Sequence, residues 1–287
     1  MLPTLHHLAV VRADALALFN LAALALVIAL SLLAPRPWVR LVDEFWRALG
    51  LLARRKFLSL LFVFLFVLCL RAALLPVIEA PDPSVHDEFS YVLAADTFAR
   101  GRLTNPPHPL WEHFESFHII QRPTYMSMYP PAQGLVLALA KILTGRFWPG
   151  AFLGAALMCA SLVWMLRGFM PARWALVGGL LMALRLGFAG YWVNSFWGGA
   201  VAATAGALVL GALPRIKRRA RTRDAVTLAV GVALLAASRP YEGFVLSLAA
   251  ALVLAVWFFR GRRHSAGVVL KRVFAPAALV LAAAACA

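Results

Sequence analysis

The sequence predicts an all-α fold, a polytopic bundle of transmembrane helices with an extracytoplasmic loop that carries interfacial helices. Three observations predict it. Hydrophobic residues make up 63% of the 287-residue chain and charged residues only 14%, whereas soluble domains hold about a quarter charged residues. The apolar stretches are continuous, not alternating. Hydrocarbon offers no water to backbone groups, so these stretches are expected to be helices and not strands of a closed barrel. Basic and acidic residues also fall into different connecting segments, the pattern in which Lys and Arg mark cytoplasmic loops. The net charge of +16, which would suggest nucleic acid in a soluble protein, has this simpler cause, and no nucleic-acid partner is expected.

The first apolar run is Ala13–Ala34. It is too long for the core of a signal peptide, and Pro35 is a poor neighbour for a cleavage site, so a retained helix is expected. An amphipathic stretch follows to Lys56, with Arg36, Arg40, Arg47, Arg54, Arg55 and Lys56 against Asp43 and Glu44. Residues 1–56 therefore read as an extra membrane helix plus a basic cytoplasmic stretch, and residues 57–287 as the main transmembrane region. Its first span is Phe57–Ile78.

The composition then changes abruptly. Residues 79–131 hold seven of the chain's twelve carboxylates, opposed only by Arg100, Arg102 and Arg122. Such a loop belongs on the face opposite the basic segments, and loops of this length are usually functional or disordered. Ser84 is placed to cap a helix whose first turn carries Asp87 and Glu88, both favourable to the helix dipole. Val85, Phe89, Val92 and Leu93 give that helix an apolar side, as expected for one lying along the interface.

Further apolar runs follow at Ala132–Gly145, Trp148–Phe169, Trp174–Tyr191, Gly198–Leu213, Ala225–Ala237, Gly243–Phe259 and Val273–Ala287. The basic loops Arg215–Arg223 and Arg260–Arg272 should be cytoplasmic. If every run crossed, Arg215–Arg223 would fall on the acidic side. The simplest repair is that Ala132–Gly145 does not fully cross, as runs of about 14 residues are often re-entrant or interfacial; a later pair of runs forming one hairpin is the alternative. The last run reaches the final residue, so a fold truncated at its C-terminus is expected.

Cys69, Cys159 and Cys286 lie in apolar runs with no metal or disulfide spacing. His108, His113 and His118 recur every five residues, which does not align them on one helical face, so solvated loop histidines are expected. Trp192, Asn194, Phe196 and Trp197 read as an aromatic interfacial belt that could also stack on a sugar. Arg239-Pro240-Tyr241-Glu242-Gly243 reads as a tight outer turn, although an Arg–Glu pair near membrane depth suggests a site role.

The segment with chemical content is His86-Asp87-Glu88-Phe89-Ser90-Tyr91, followed by Gly101-Arg102, Arg122 and Tyr129-Pro130-Pro131. In this order, after a membrane span, it resembles the GT-C membrane glycosyltransferases that use polyprenyl-phosphate sugars, the group of protein O-mannosyltransferases and aminoarabinose transferases. These carry an outer Asp-Glu-x-x-Tyr motif, a short helix ending near Gly, and a Tyr-Pro-Pro segment entering the next helix. The resemblance covers about Phe57–Leu213; the extra N-terminal helix and the missing later spans and terminal domain depart from it.

The resemblance implies a multi-pass enzyme of the bacterial inner membrane that takes a lipid-linked sugar donor and a glycan, lipid or protein acceptor. Asp87 would be the essential carboxylate, since an acceptor hydroxyl needs a base as the anomeric carbon becomes cationic, with Glu88 in support. Arg122, Arg102 and Arg239, in that order, are candidates for the donor phosphate, and Tyr91, Tyr129 and Glu242 complete the expected substrate-binding set. No metal ligand is assigned, although a divalent ion bridging carboxylate and phosphate is compatible with the chemistry. The rival expectation is a transporter or flippase-like scaffold, which should show repeated halves with broken helices, or a non-catalytic truncated relative. No internal repeat is visible.

Overall fold

The computed structural model describes residues 21–22, 24–29, 32, 35–188, 190–260 and 265–286. The chain forms two compact units divided between Leu52 and Ala53. In the first, the amphipathic stretch is largely a single helix, α1 (Pro35–Arg54). The retained helix expected over Ala13–Ala34 lies mostly outside the described residues.

Among its described residues the second unit holds five helices long and apolar enough to cross a membrane: α2 (Lys56–Ala73), α5 (Trp148–Leu166), α7 (Gly199–Arg219), α9 (Pro240–Arg260) and α10 (Ala266–Cys286). Two helices of 15 residues, α6 (Ala172–Leu186) and α8 (Thr222–Ala236), complete the layout. Between α2 and α5 come α3 (His86–Ala99) and α4 (Pro131–Thr144), joined by a short antiparallel hairpin of β1 (Ile119–Ile120) and β2 (Met126–Ser127).

Small residues let these helices approach closely. Gly179 of α6 sits against Val163 of α5, Gly231 of α8 against the α7 backbone at Ala205 and Val209, and Gly211 of α7 against Trp164 of α5. Without a hydrophobic force between helices in lipid, such backbone approach is what packs them. Large apolar side chains on α9, among them Phe244, Leu248, Leu252 and Phe259, stay exposed. That is the inverse of a water-facing surface, and it suits hydrocarbon surroundings.

The unit has two chemically distinct ends. At the basic end, Arg167 after α5 donates to Ala53 O at 2.6 Å just before α2, and Arg215 of α7 donates to Trp164 O at 2.7 Å. The connection from α7 to α8 lies here too. At the acidic end, Arg71 near the close of α2 donates to Ile78 O and Glu79 O at 2.9 and 2.7 Å and lies over the Phe152 ring near the start of α5. The N–H of Ala132 at the start of α4 donates to Ala237 O just past α8 at 2.9 Å.

This layout bears on the parity problem through the placement of α4. α4 begins beside Ala237, and its Leu137 packs with Tyr91, Phe196 and Trp148, the first residue of α5. Both termini of α4 therefore lie at the acidic end, and α5 runs from there to the basic end. α4 packs instead along α3, where Gly134 fits between Ala94 and Phe98. The basic segments are shorter than expected. α7 continues to Arg219, and a left-handed Ala220 (φ 44°) alone turns the chain before α8 opens at Thr222. Lys271 and Arg272 belong to α10 and not to a loop. Charged residues at helix ends read as loop in sequence, yet Lys and Arg stems extend helices readily while their heads reach water.

This layout carries a topology test. With the native cysteines replaced, Asp82→Cys and Arg146→Cys should react with a membrane-impermeant thiol reagent from one side, and Thr222→Cys only from the other. Labelling of Arg146→Cys on the Thr222 side would mean that α4 crosses.

Candidate functional site

α3 begins where Val85, in extended backbone (φ −131°, ψ 158°), turns into the helix. The capping is the reverse of the one expected from Ser84. Glu88 reaches back, and its Oε2 accepts the Ser84 N–H at 2.9 Å and the Ser84 hydroxyl at 3.1 Å. A carboxylate in the first helical turn is a stronger acceptor for free N–H groups than a hydroxyl, so Ser84 becomes the donor. Glu88 Oε1 accepts the Phe196 N–H at 2.9 Å, and the side chain is only 3% exposed. Glu88 is thus a buried tether between the start of α3 and the segment before α7.

The inward face of α3 is Glu88, Tyr91, Ala94 and Ala95, with Ser90 and Thr97 also buried. Val85 and Phe89, expected on the apolar side of a helix lying along the interface, stay exposed. Burial follows the bonding demands of Glu88 and Ser90, which leave that apolar side on the outside of the packed unit. At its far end α3 closes with Gly101 left-handed (φ 71°) and the Arg102 N–H donating to Thr97 O at 3.1 Å, a glycine-terminated helix cap.

Successive helical residues point about 100° apart, so Asp87 faces away from the Glu88 tether and its side chain is 34% exposed. Its Oδ1 accepts the Tyr129 hydroxyl proton and lies 3.6 Å from His118 Nε2. Tyr129 stacks on Tyr91 at 4.5 Å and on His118 at 5.4 Å between ring centroids. The result is an aromatic sandwich with a carboxylate at its edge.

Donor and acceptor roles along the hairpin explain why Tyr129 and His118 meet there. The Tyr129 N–H donates to Ser127 Oγ at 3.1 Å, Ser127 can then donate to Ser90 Oγ at 2.7 Å, and Ser90 donates to His118 O at 2.6 Å. Ser90 is fully buried and Ser127 nearly so, so this relay leaves no buried hydroxyl without a partner. The register Ile119 opposite Ser127 brings His118, itself left-handed at φ 64°, over the first turns of α3. Pro131 then opens α4, and the Ala132–Ala237 bond carries the strand of Tyr129 to the turn that holds Arg239.

Arg239 is the cation whose charge is felt at both Tyr91 and Tyr129. It also pairs with Glu242 across 3.8 Å, both side chains being substantially exposed. Arg122 stands over the Trp111 ring at 4.4 Å and lines a cavity of 680 Å³ with His86, Phe117 and Gln121, which puts it on the flank of Asp87 adjoining His86. Arg102 lies beyond the other end of α3, about 20 Å along the helix from Asp87. The structure therefore brings together Asp87, Tyr91, Tyr129 and Arg239, keeps Arg122 and Glu242 adjacent to that group, and sets Arg102 apart.

Burial, and then the bond to Asp87, hold the Tyr129 phenol well above the ordinary tyrosine range. Burial also raises Tyr91, against the opposing charge of Arg239. Among the described residues no group of three or more His, Cys, Asp or Glu side chains converges as a metal site; Asp87 and His118 make a pair only.

Several participants were not singled out from sequence. His118 read as a solvated loop residue, and only the hairpin register brings it to Asp87. Arg71 is fully buried inside an apolar run; a lone arginine in a span is itself a signal. Its Nε and Nη2 donate to Asn194 Oδ1 at 3.0 and 2.7 Å. Gln133 donates to Phe196 O at 2.8 Å. The aromatic belt is correspondingly reduced: Phe196 is buried core, Asn194 is a ligand of Arg71, Trp192 is half-buried, and Trp197 remains exposed, edge to face with Tyr191 at 5.6 Å.

No family model, curated protein or solved structure matches this chain.

Two outcomes follow from these contacts. Glu88→Ala leaves the buried Phe196 N–H and the Ser84 donors without their charged acceptor, so it should destabilise the protein by about 3 kcal/mol. Thermal unfolding in detergent would read this as a lowered midpoint, partly restored in Glu88→Gln. In alkaline titration followed by phenolate absorbance, two of the five tyrosines should ionise late, and Tyr129→Phe should remove one of them. Because the folded values are raised, the associated stability is fully present below about pH 10 and is lost as pH climbs through the raised values.

Proposed function

We propose that this chain is a multi-pass membrane glycosyltransferase of the bacterial inner membrane, moving a sugar from a polyprenyl-phosphate donor to an acceptor at the extracytoplasmic face. The acidic end would be that face. The observation that carries the reading is the setting of Asp87. It is a partly exposed carboxylate at a helix start, one oxygen held by Tyr129, the other without a protein partner among the described residues, beside stacked aromatic rings and an arginine.

In this reading the acceptor hydroxyl oxygen attacks the anomeric carbon, and its proton passes to the free oxygen of Asp87. The bond between that carbon and the phosphate oxygen breaks, and the polyprenyl phosphate leaves with the electron pair. Tyr129 fixes the carboxylate in orientation, which is worth most when the geometry is set before reaction. Arg239 faces the developing phosphate charge, with Arg122 across the adjoining cavity. Glu88 supports the site by anchoring the helix that carries Asp87. The Tyr91–Tyr129 pair offers a flat apolar face of the kind that sugar rings stack on. The partners in this reading are the lipid-linked donor, the acceptor and the lipid bilayer that holds the donor.

The test is transfer from a lipid-linked sugar by purified protein in detergent or vesicles. Asp87→Asn keeps size and the bond from Tyr129 but cannot take a proton near neutral pH, so the rate should fall by about 10²–10⁴ with insertion and unfolding midpoint unchanged. Product formation by wild type with an undiminished Asp87→Asn rate would remove Asp87 from the chemistry. Directional movement of the lipid-linked sugar without any product would favour a transporter.

A further inference from the structure

At the opposite end of the same unit lies a second, chemically different cavity. It has a volume of 390 Å³ and is lined by six cations, Lys56, Arg167, Arg215, Arg218, Arg219 and Arg223, against one carboxylate, Asp224. Some of these charges have structural partners. Arg167 donates to Ala53 O at 2.6 Å, Arg215 to Trp164 O at 2.7 Å and to Gly211 O, and Arg218 to Gly168 O. Those partners are backbone carbonyls, which fix guanidinium planes without neutralising them. Asp224 is buried and stands 3.9 Å from Arg223 Nε, so it offsets one unit of charge at most.

The floor of the cavity is built to hold cations in fixed positions. The Trp164 ring is contacted by Arg215 at 4.0 Å and by Lys56 at 5.8 Å to the ring centroid. Arg215 is half-buried, so its planar donors are oriented by the ring and by two carbonyls before any ligand arrives. Arg219 and Arg223 are exposed at the mouth, where α7 ends and α8 begins. Like charges this close repel, and at a membrane surface each would be relieved by an anion. A scatter of solvated cytoplasmic arginines would show neither a shared aromatic floor nor a common cavity.

We infer that this cavity binds a phosphate group, with Arg215 and Arg167 at its base and Arg219 and Arg223 closing on the phosphate oxygens from the mouth. Planar guanidinium groups match phosphate oxygens in paired hydrogen bonds. The position, among the basic ends of helices long and apolar enough to span a membrane, is at headgroup depth. The phosphate can therefore come from an anionic phospholipid or from a soluble phosphate compound. The site is independent of transfer at Asp87, since it lies at the other end of the helices and shares none of those residues.

The experiment compares wild type with Arg219→Gln/Arg223→Gln in detergent, both variants being exposed mouth residues that leave the backbone-bonded arginines in place. Thermal unfolding is followed while phosphatidic acid, phosphatidylglycerol or phosphatidylcholine is added. In a separate arm, binding of pyrophosphate and inorganic phosphate is measured by calorimetry. The anionic lipids should raise the unfolding midpoint, phosphatidylcholine should not because its choline cation opposes the cavity, and the effect should weaken with salt. The double variant should bind about 25-fold more weakly, at roughly fivefold per cation removed. Binding of lipid alone identifies a headgroup site, and binding of pyrophosphate alone a soluble ligand; both support the assignment and distinguish its source. Equal stabilisation by phosphatidylcholine, full retention of the shift in the double variant, or no binding of any probe overturns it. If the double variant unfolds early, Arg219→Gln alone, which leaves the Arg223–Asp224 pair in place, decides: a weakened response to anionic lipid or pyrophosphate with a normal midpoint supports the site, and a response of wild-type strength overturns it.

Discussion

The peptide at Phe196 is held from both sides by buried side chains, and much of the acidic end depends on that. Its N–H is bound by Glu88 of α3 and its carbonyl by Gln133 of α4, while Asn194, two residues earlier, is bound by Arg71 of α2. The segment between α6 and α7 is irregular, so its backbone groups cannot satisfy one another as a helix would. Buried backbone groups require partners, and irregular backbone at membrane depth is tolerated only where protein supplies them. Glu88 and Gln133 meet that requirement at Phe196, and Arg71 holds the Asn194 side chain, which in turn donates to Gly190 O at 3.0 Å; together they fix those elements to one another.

The same requirement orients α3. Glu88 must face Phe196 and Ser90 must face the hairpin, which leaves Val85 and Phe89 on the exposed side. The helix rolls accordingly. That roll turns Asp87 outward towards Tyr129 and His118, and it places Tyr91 under Tyr129. A charged residue that holds structure and a charged residue open to chemistry thus sit side by side in sequence and diverge in space by one helical step.

The two ends of the helices divide electrostatic labour. The acidic end gathers a carboxylate, an imidazole, phenols and Arg239 in a partly exposed cluster. The basic end gathers arginines whose carbonyl and aromatic contacts hold them in place without cancelling their charge. Small residues along α5 to α8 allow the backbones between these ends to approach closely, so the ends are connected by rigidly packed helices.

Sequence by itself determined the helical class, the separation of acidic from basic segments, and the shortness of the apolar run Ala132–Gly145, because these follow from hydropathy, length and charge. It also singled out the Asp87–Tyr91 segment and Tyr129, which the structure brings into one cluster. The tertiary structure alone decided which member of the Asp87–Glu88 pair is buried, which arginine lies beside the phenols, and that His118 belongs to the group. Those outcomes depend on hairpin register and on long-range bonds such as Glu88 to Phe196 and Ala132 to Ala237. Such bonds join residues far apart in the chain, and no local periodicity records them.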